Sequence, residues 1–75
     1  MFITYALYST KFNKIYIGYT SRLEARILAH NFLDKKGWTR RFRPWILIYY
    51  EEFDDKTAAK RRERTLKNGK MRKWL

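Results

Sequence analysis

Lys14-Ile15-Tyr16-Ile17-Gly18-Tyr19 alternates residue by residue, placing Ile15, Ile17 and Tyr19 on one side and Lys14, Tyr16 and Gly18 on the other. A period of two in β-branched and aromatic residues marks a strand with one buried face. Upstream, Phe2 to Tyr8 (FITYALY) is also β-rich, with Ile3, Tyr5 and Leu7 opposed to Phe2, Thr4, Ala6 and Tyr8. The polar link Ser9 to Asn13 is short enough to turn the chain back, so the two strands are expected to form a hairpin. The second face of KIYIGY is where a tyrosine hydroxyl is expected to look outward.

Downstream, Ser21-Arg22-Leu23-Glu24 has the form of a capping box. The helix it opens is expected to reach about Asn31, with Leu23, Ile27 and His30 on one stripe and Arg26 beside them. Phe32 to Pro44 reads as a loop punctuated by Gly37 and Pro44. Trp45 to Phe53 (WILIYYEEF) begins with a continuous apolar run, which predicts a central strand covered on both faces. Asp54 and Asp55 offer a cap for a second helix from about Lys56 to Asn68, stopped by Gly69. Met71 to Leu75 is a short basic and apolar tail with room for one more turn. The order strand, strand, helix, strand, helix predicts an α/β fold of the α+β kind, an antiparallel sheet flanked by helices, as one domain over residues 1–75.

The composition narrows the partner. Eighteen lysines and arginines face seven acids over 75 residues, a formal charge of +11. Such an excess repels itself in a compact chain, and a polyanion relieves it. The chain has no cysteine, which excludes disulfide scaffolds, cysteine-based zinc sites and thiol nucleophiles. With 45% hydrophobic and 19% aromatic residues it has the means to collapse, so disorder is not expected. No membrane partner is expected, because the longest apolar run falls far short of the roughly 20 residues that cross a bilayer. No basic segment followed by an apolar stretch opens the chain, so the cytoplasm is the expected location, at the nucleoid when bound.

Three places break the amphipathic pattern. The inner stripe of the second helix should run through Ala59, position 62 or 63, and Leu66, yet the middle positions are Arg62 and Glu63. Glu63 is the only acid between Lys60 and Lys73. It is either one partner of a solvated ion pair or a carboxylate holding a hard cation at the edge of a basic groove. On the first helix, His30 reads as a satisfied core residue or a proton-handling group, and Arg26 as a snorkelling side chain or a fork for phosphate. Most of the six tyrosines must pack. Tyr5 and Tyr16 are set apart by lying on the paired strands, and a phenol with an ordinary pKa near 10 needs cations nearby to act as a base.

Tyr5, then Tyr16-Ile17-Gly18 eleven residues later, then Arg26 ten residues on, resembles the GIY-YIG nuclease family. Lys36-Gly37-Trp38-Thr39-Arg40-Arg41 ahead of Pro44-Trp45, and Arg62-Glu63 followed by Leu66-Lys67, look like its small stand-alone members. Those members are related to the nuclease module of the excinuclease C subunit, a DNA-repair setting. The first motif reads Ile3-Thr4-Tyr5, so only its tyrosine is kept. The resemblance implies a three-stranded antiparallel sheet flanked by helices and a Mg²⁺-dependent (or Mn²⁺-dependent) endonuclease hydrolysing DNA phosphodiester bonds. By position it implies catalytic roles for Tyr5, Tyr16, Arg26, His30 and Glu63, with Glu63 as the metal ligand. It leaves the identity of the general base open.

The phosphate-gripping residues are expected among two clusters that hold thirteen of the eighteen basic residues. They are Lys35, Lys36, Arg40, Arg41 and Arg43 in the loop, and Lys60, Arg61, Arg64 and Lys67 on the second helix, joined by Lys14 on the hairpin. The expected substrate is DNA (branched, flapped or nicked), cut by structure or with little sequence preference, with a recruiting protein as a further partner. The alternative is a nucleic-acid-binding module that keeps the fold without catalysis, its aromatics interleaved with arginine for stacking on single strands. A small RNA-associated protein is a third reading, since charge does not separate RNA from DNA.

Overall fold

The opening hairpin forms as the alternation requires. In the computed structural model, which describes residues 1–33, 35 and 37–70 (the last two as backbone only), β1 (Phe2–Ser9) pairs antiparallel with β2 (Lys14–Thr20). Asn13 takes the left-handed conformation that closes the turn, φ 53°, and its side chain accepts a hydrogen bond from the Tyr8 hydroxyl at 2.9 Å. Helix α1 (Leu23–Leu28) follows and loosens into a π turn over Ala29–Leu33. The stretch expected to be plain loop carries the end of that turn and a 3₁₀ turn, Thr39–Phe42. Strand β3 (Ile46–Phe53) and helix α2 (Lys56–Thr65), which runs into a π turn over Leu66–Lys70, complete the order. The expected turn over Met71 to Leu75 lies outside the described residues.

The sheet order is β2-β1-β3, all antiparallel. The expectation of a central third strand is therefore wrong: β1 is central and β3 is an edge. Its apolar run has another cause. A bulge falls between Ala6 and Leu7, so that Tyr49 pairs with Ala6, Leu47 pairs with Leu7, and Ile48 is the extra residue. The bulge reverses the alternation in mid-strand, and successive apolar residues follow without both faces being covered. Ile46 and Tyr50 are about half exposed as a result.

Each face of the sheet has its own small core. Ala6 and Ile17 pack with Leu66 beneath α2, with Ile15, Ile48 and Tyr49 around them. The buried Thr4 hydroxyl donates to the Ala59 carbonyl at 2.7 Å, fixing α2 to the middle strand. On the other face Tyr5, Leu7 and Trp45 pack with Tyr16, Leu23, Ile27 and Phe42. Asp55 caps α2 as expected, accepting from the Ala58 amide at 2.8 Å. The capping box at Ser21 does not form. Arg22 is the N-cap residue of α1 without a side-chain cap, and its amide donates to the Thr20 hydroxyl instead. The helix begins at Leu23, one residue later than the box requires, which leaves Ser21 outside the N-cap position.

Candidate active site

Gly18 makes the site possible. It is the direct partner of Tyr5 across the hairpin and sits two residues beyond Tyr16 on the same face. Both rings lean into the space that a side chain would fill. A Cβ on Gly18 would lie 2.9 Å from the Tyr5 hydroxyl and 3.0 Å from Cε2 of Tyr16. The two tyrosine rings stand 6.1 Å apart, and His30 closes the group at 4.7 Å from Tyr16 and 6.1 Å from Tyr5.

His30 is the satisfied core residue that its position suggested. It is 2% exposed, a core residue, and both ring nitrogens are engaged. Nε2 lies 3.0 Å from the Tyr5 hydroxyl and Nδ1 lies 3.0 Å from the Thr39 hydroxyl. Either neutral tautomer satisfies both contacts. The difference is whether the Tyr5 O–H is directed at His30 or released toward the cleft, so the ring can pass a proton along Tyr5, His30 and Thr39.

Burial pushes the Tyr5 phenol up to about 12, and the neighbouring Tyr16 adds to this, while hydrogen bonding and charge from Arg26 pull it back. At neutral pH Tyr5 is therefore a protonated donor and not a base. Arg26 is exposed on α1 yet lies close enough to act on Tyr5, which places a guanidinium at the mouth of the tyrosine pair.

The shell behind this group was not visible in the sequence. Thr39 is buried, and its carbonyl accepts from the Trp45 indole at 2.7 Å. Asn31 makes a two-way clasp with the Trp45 backbone, at 3.0 and 2.6 Å. These contacts tie the π turn bearing His30 to the start of β3. Residues separated by 6 to 14 positions in a loop carry no periodicity, so no pattern announces them.

Arg43, expected to grip phosphate, is engaged by the chain's own backbone. Its guanidinium donates to the His30 carbonyl at 2.6 Å and to the Ala29 carbonyl at 3.3 Å, the first two residues of the π turn. Lys14, Lys35, Arg40, Arg41, Lys60, Arg61, Arg64 and Lys67 are all exposed. Lys36 lies outside the described residues.

Glu63 sits on the inner stripe of α2 between Ala59 and Leu66, and its side chain is only 19% exposed. Arg62 turns instead to Glu51 at 3.2 Å and to the Tyr49 hydroxyl, and is 43% exposed. Glu63 approaches Lys67 at 3.8 Å. Because Leu66 packs on Ile17, α2 covers the face opposite to Tyr5 and Tyr16. Among the described residues Glu63 is therefore not gathered with Tyr5, Tyr16, Arg26 and His30, and β2 is an edge strand of the sheet. Among the described residues no three His, Cys, Asp or Glu side chains gather as a metal cluster. A hard cation of the Mg²⁺ type does not require one, since one or two carboxylates with water and substrate phosphate oxygens complete its shell. A single half-buried glutamate on a basic helix fits that donor set.

The profile described as the GIY-YIG catalytic domain matches residues 1–73. The UPF0213 protein SH2523 of Staphylococcus haemolyticus is 44% identical over 57 residues, covering 76% of this chain and 70% of its own length. The UPF0213 protein SpyM50708 of Streptococcus pyogenes is 41% identical over 58 residues, covering 77% of this chain and 63% of its own length. No solved structure matches.

Proposed function

This chain belongs to the GIY-YIG family, and on that premise we propose that it is a Mg²⁺-dependent endonuclease cutting DNA by structure or with little sequence preference. The family implies a nuclease-type hydrolase acting on DNA, and the fold is the three-stranded antiparallel sheet with helices that goes with it. One observation carries the reading: Tyr5 and Tyr16 lean together over Gly18, with His30 bonded to Tyr5 and Arg26 acting on it, the four coming from β1, β2, α1 and the π turn.

In this reading the scissile phosphate crosses the β2 margin, and Arg26 neutralises it with a fork of donors. Tyr16 would first give its phenolic proton to solvent and, as the phenolate, take the proton of the attacking water, while the leaving oxygen is protonated from solvent. Tyr5, held neutral, donates a hydrogen bond that orients Tyr16 or the phosphate. His30, backed by Thr39, holds the Tyr5 hydroxyl in place from behind. Glu63 would hold the divalent ion, which supplies positive charge for the oxygens that become negative as the bond breaks. The exposed lysines and arginines of α2 and of the 3₁₀ turn hold the flanking backbone. The domain works as one unit over residues 1–75, in the cytoplasm.

The contact between Glu63 and Lys67 favours a second reading, a module that binds nucleic acid without cutting it. Cleavage of nicked, flapped, branched and plain duplex DNA with Mg²⁺ or Mn²⁺ separates the two. Glu63→Ala should abolish cutting while binding persists, because removing a carboxylate from a basic helix does not weaken polyanion affinity. Equal inertness of wild type and Glu63→Ala on every substrate would leave the binding module.

A further inference from the structure

A strip of rings leads away from Tyr16 that the proposed hydrolysis does not use. Trp38 stands 6.5 Å from Tyr16, Phe42 stands 4.8 Å from Trp38, and Phe12 stands 5.4 Å from Phe42. The strip runs from the β1–β2 turn, which carries Phe12, to the catalytic group. Packing accounts for part of it: Trp38 lies against the buried Trp45 at 5.7 Å, and Phe42 belongs to the core. It does not account for the outer surface. Trp38 is 45% exposed and Phe12 41% exposed, so large parts of the two rings on either side of Phe42 face water.

Cations flank the same rings. The Lys11 ammonium is 5.5 Å from the Phe12 ring, the Lys14 ammonium 5.5 Å from Phe42, and the Arg41 guanidinium 5.9 Å from Phe42. Exposed rings interleaved with cations supply the two things that an unpaired strand presents together, a base face and a phosphate. A duplex keeps its base faces stacked inside and offers only phosphates and groove edges, so it would engage the cations and leave the rings idle.

We propose that Phe12, Phe42 and Trp38 form a stacking platform for unpaired bases, which seats a single strand of nucleic acid so that its backbone enters the site at Tyr16 and Arg26. The proposal rests on the nuclease reading for what happens next, but the platform itself is a binding surface and is measured as one. It makes the substrate a single strand or the single-stranded arm of a flap.

The test is binding of end-labelled oligonucleotides by anisotropy, without divalent metal, so that no cleavage intervenes. A 12-mer of deoxythymidine is compared with a duplex hairpin of similar charge and with a 12-mer carrying abasic sites. Phe12→Ala and Trp38→Ala should each weaken the single strand by about 5- to 150-fold, the range for losing one stacked base. The duplex should change by less than about twofold, and the abasic strand should bind wild type as weakly as the intact strand binds Trp38→Ala. Because Trp38 also packs on Trp45, Trp38→Phe serves as the control that keeps a ring, and it should restore most of the affinity. Equal losses on single strand and duplex, or no loss on either with Phe12→Ala, would overturn the platform. The two ideas fail separately. Intact cleavage with ring substitutions that leave single-strand affinity unmoved would refute the platform alone. Ring-dependent binding by a wild type that cuts nothing would refute the nuclease reading alone.

Discussion

Gly18→Ala tests whether the two tyrosines are held where the chemistry needs them. An unhindered glycine in a strand gains about 0.5–1 kcal/mol when replaced by alanine, because the unfolded chain loses freedom. Here the added methyl would meet the Tyr5 hydroxyl at 2.9 Å, Cε2 of Tyr16 at 3.0 Å and Cζ of Tyr5 at 3.1 Å. Two of those atoms belong to a ring that is 1% exposed and tied to His30, so it has no free direction in which to move. Overpacking of this kind costs about 1–3 kcal/mol, and loss of the Tyr5–His30 hydrogen bond adds about 1 kcal/mol. After the gain for replacing glycine is subtracted, the net effect is a destabilisation of about 1–3.5 kcal/mol, against about 4–11 kcal/mol for a whole domain of this size. In a thermal melt followed by circular dichroism this lowers Tm by about 4 °C or more. Single-turnover cleavage should fall with it at temperatures where the variant is still folded, because Tyr5 and Tyr16 are pushed apart. A variant as stable as wild type, cutting at the wild-type rate, would refute the account of why this position is glycine.

Other positions give sharper local readings. With the Tyr5 phenol raised from 10.0 to about 12 by burial, the fold favours the neutral form. That stabilisation is complete below pH 10 and is lost as pH rises from 10 to 12, a change of about 3 kcal/mol that Tyr5→Phe should remove from the pH dependence of urea midpoints. Asp55→Ala should cost about 1 kcal/mol by removing a formed cap, whereas Ser21→Ala should stay within about 0.5 kcal/mol, measured by the same unfolding curves. Arg43→Ala should destabilise by about 2 kcal/mol by freeing the Ala29 and His30 carbonyls, and its effect on cutting should exceed its effect on DNA affinity.

Much of this protein was readable before its structure, for identifiable reasons. The hairpin and both helices follow from periodicities of two and 3.6 that burial enforces, and Asp55 caps because nothing competes for the Ala58 amide. The family resemblance implies Tyr5, Tyr16, Arg26 and His30 as site residues, and the structure gathers these four. Three features escaped for the opposite reason, that a local signal was overruled in the fold. Ile48 is inserted by a bulge, which made an edge strand read as a central one. Ser21 is not the cap because the helix starts one residue later than the box requires, with Arg22 at the N-cap position. Arg43 looked like one more loop cation until the open carbonyls of a π turn were placed beside it. Thr39 had no signal at all, because only the folded loop brings its hydroxyl to His30.

The central claim is that the cluster around Tyr16 breaks DNA phosphodiester bonds, and one substitution reaches it most directly. Tyr16→Phe keeps the ring that packs against His30 and removes only the hydroxyl. Single-turnover cleavage of labelled DNA with Mg²⁺, at enzyme concentrations well above Kd, should slow by about 100-fold or more in this variant, as loss of a general acid–base group does. The measured Kd should remain within about twofold. Cleavage within a few-fold of wild type, or a loss that appears only in Kd, would contradict the account.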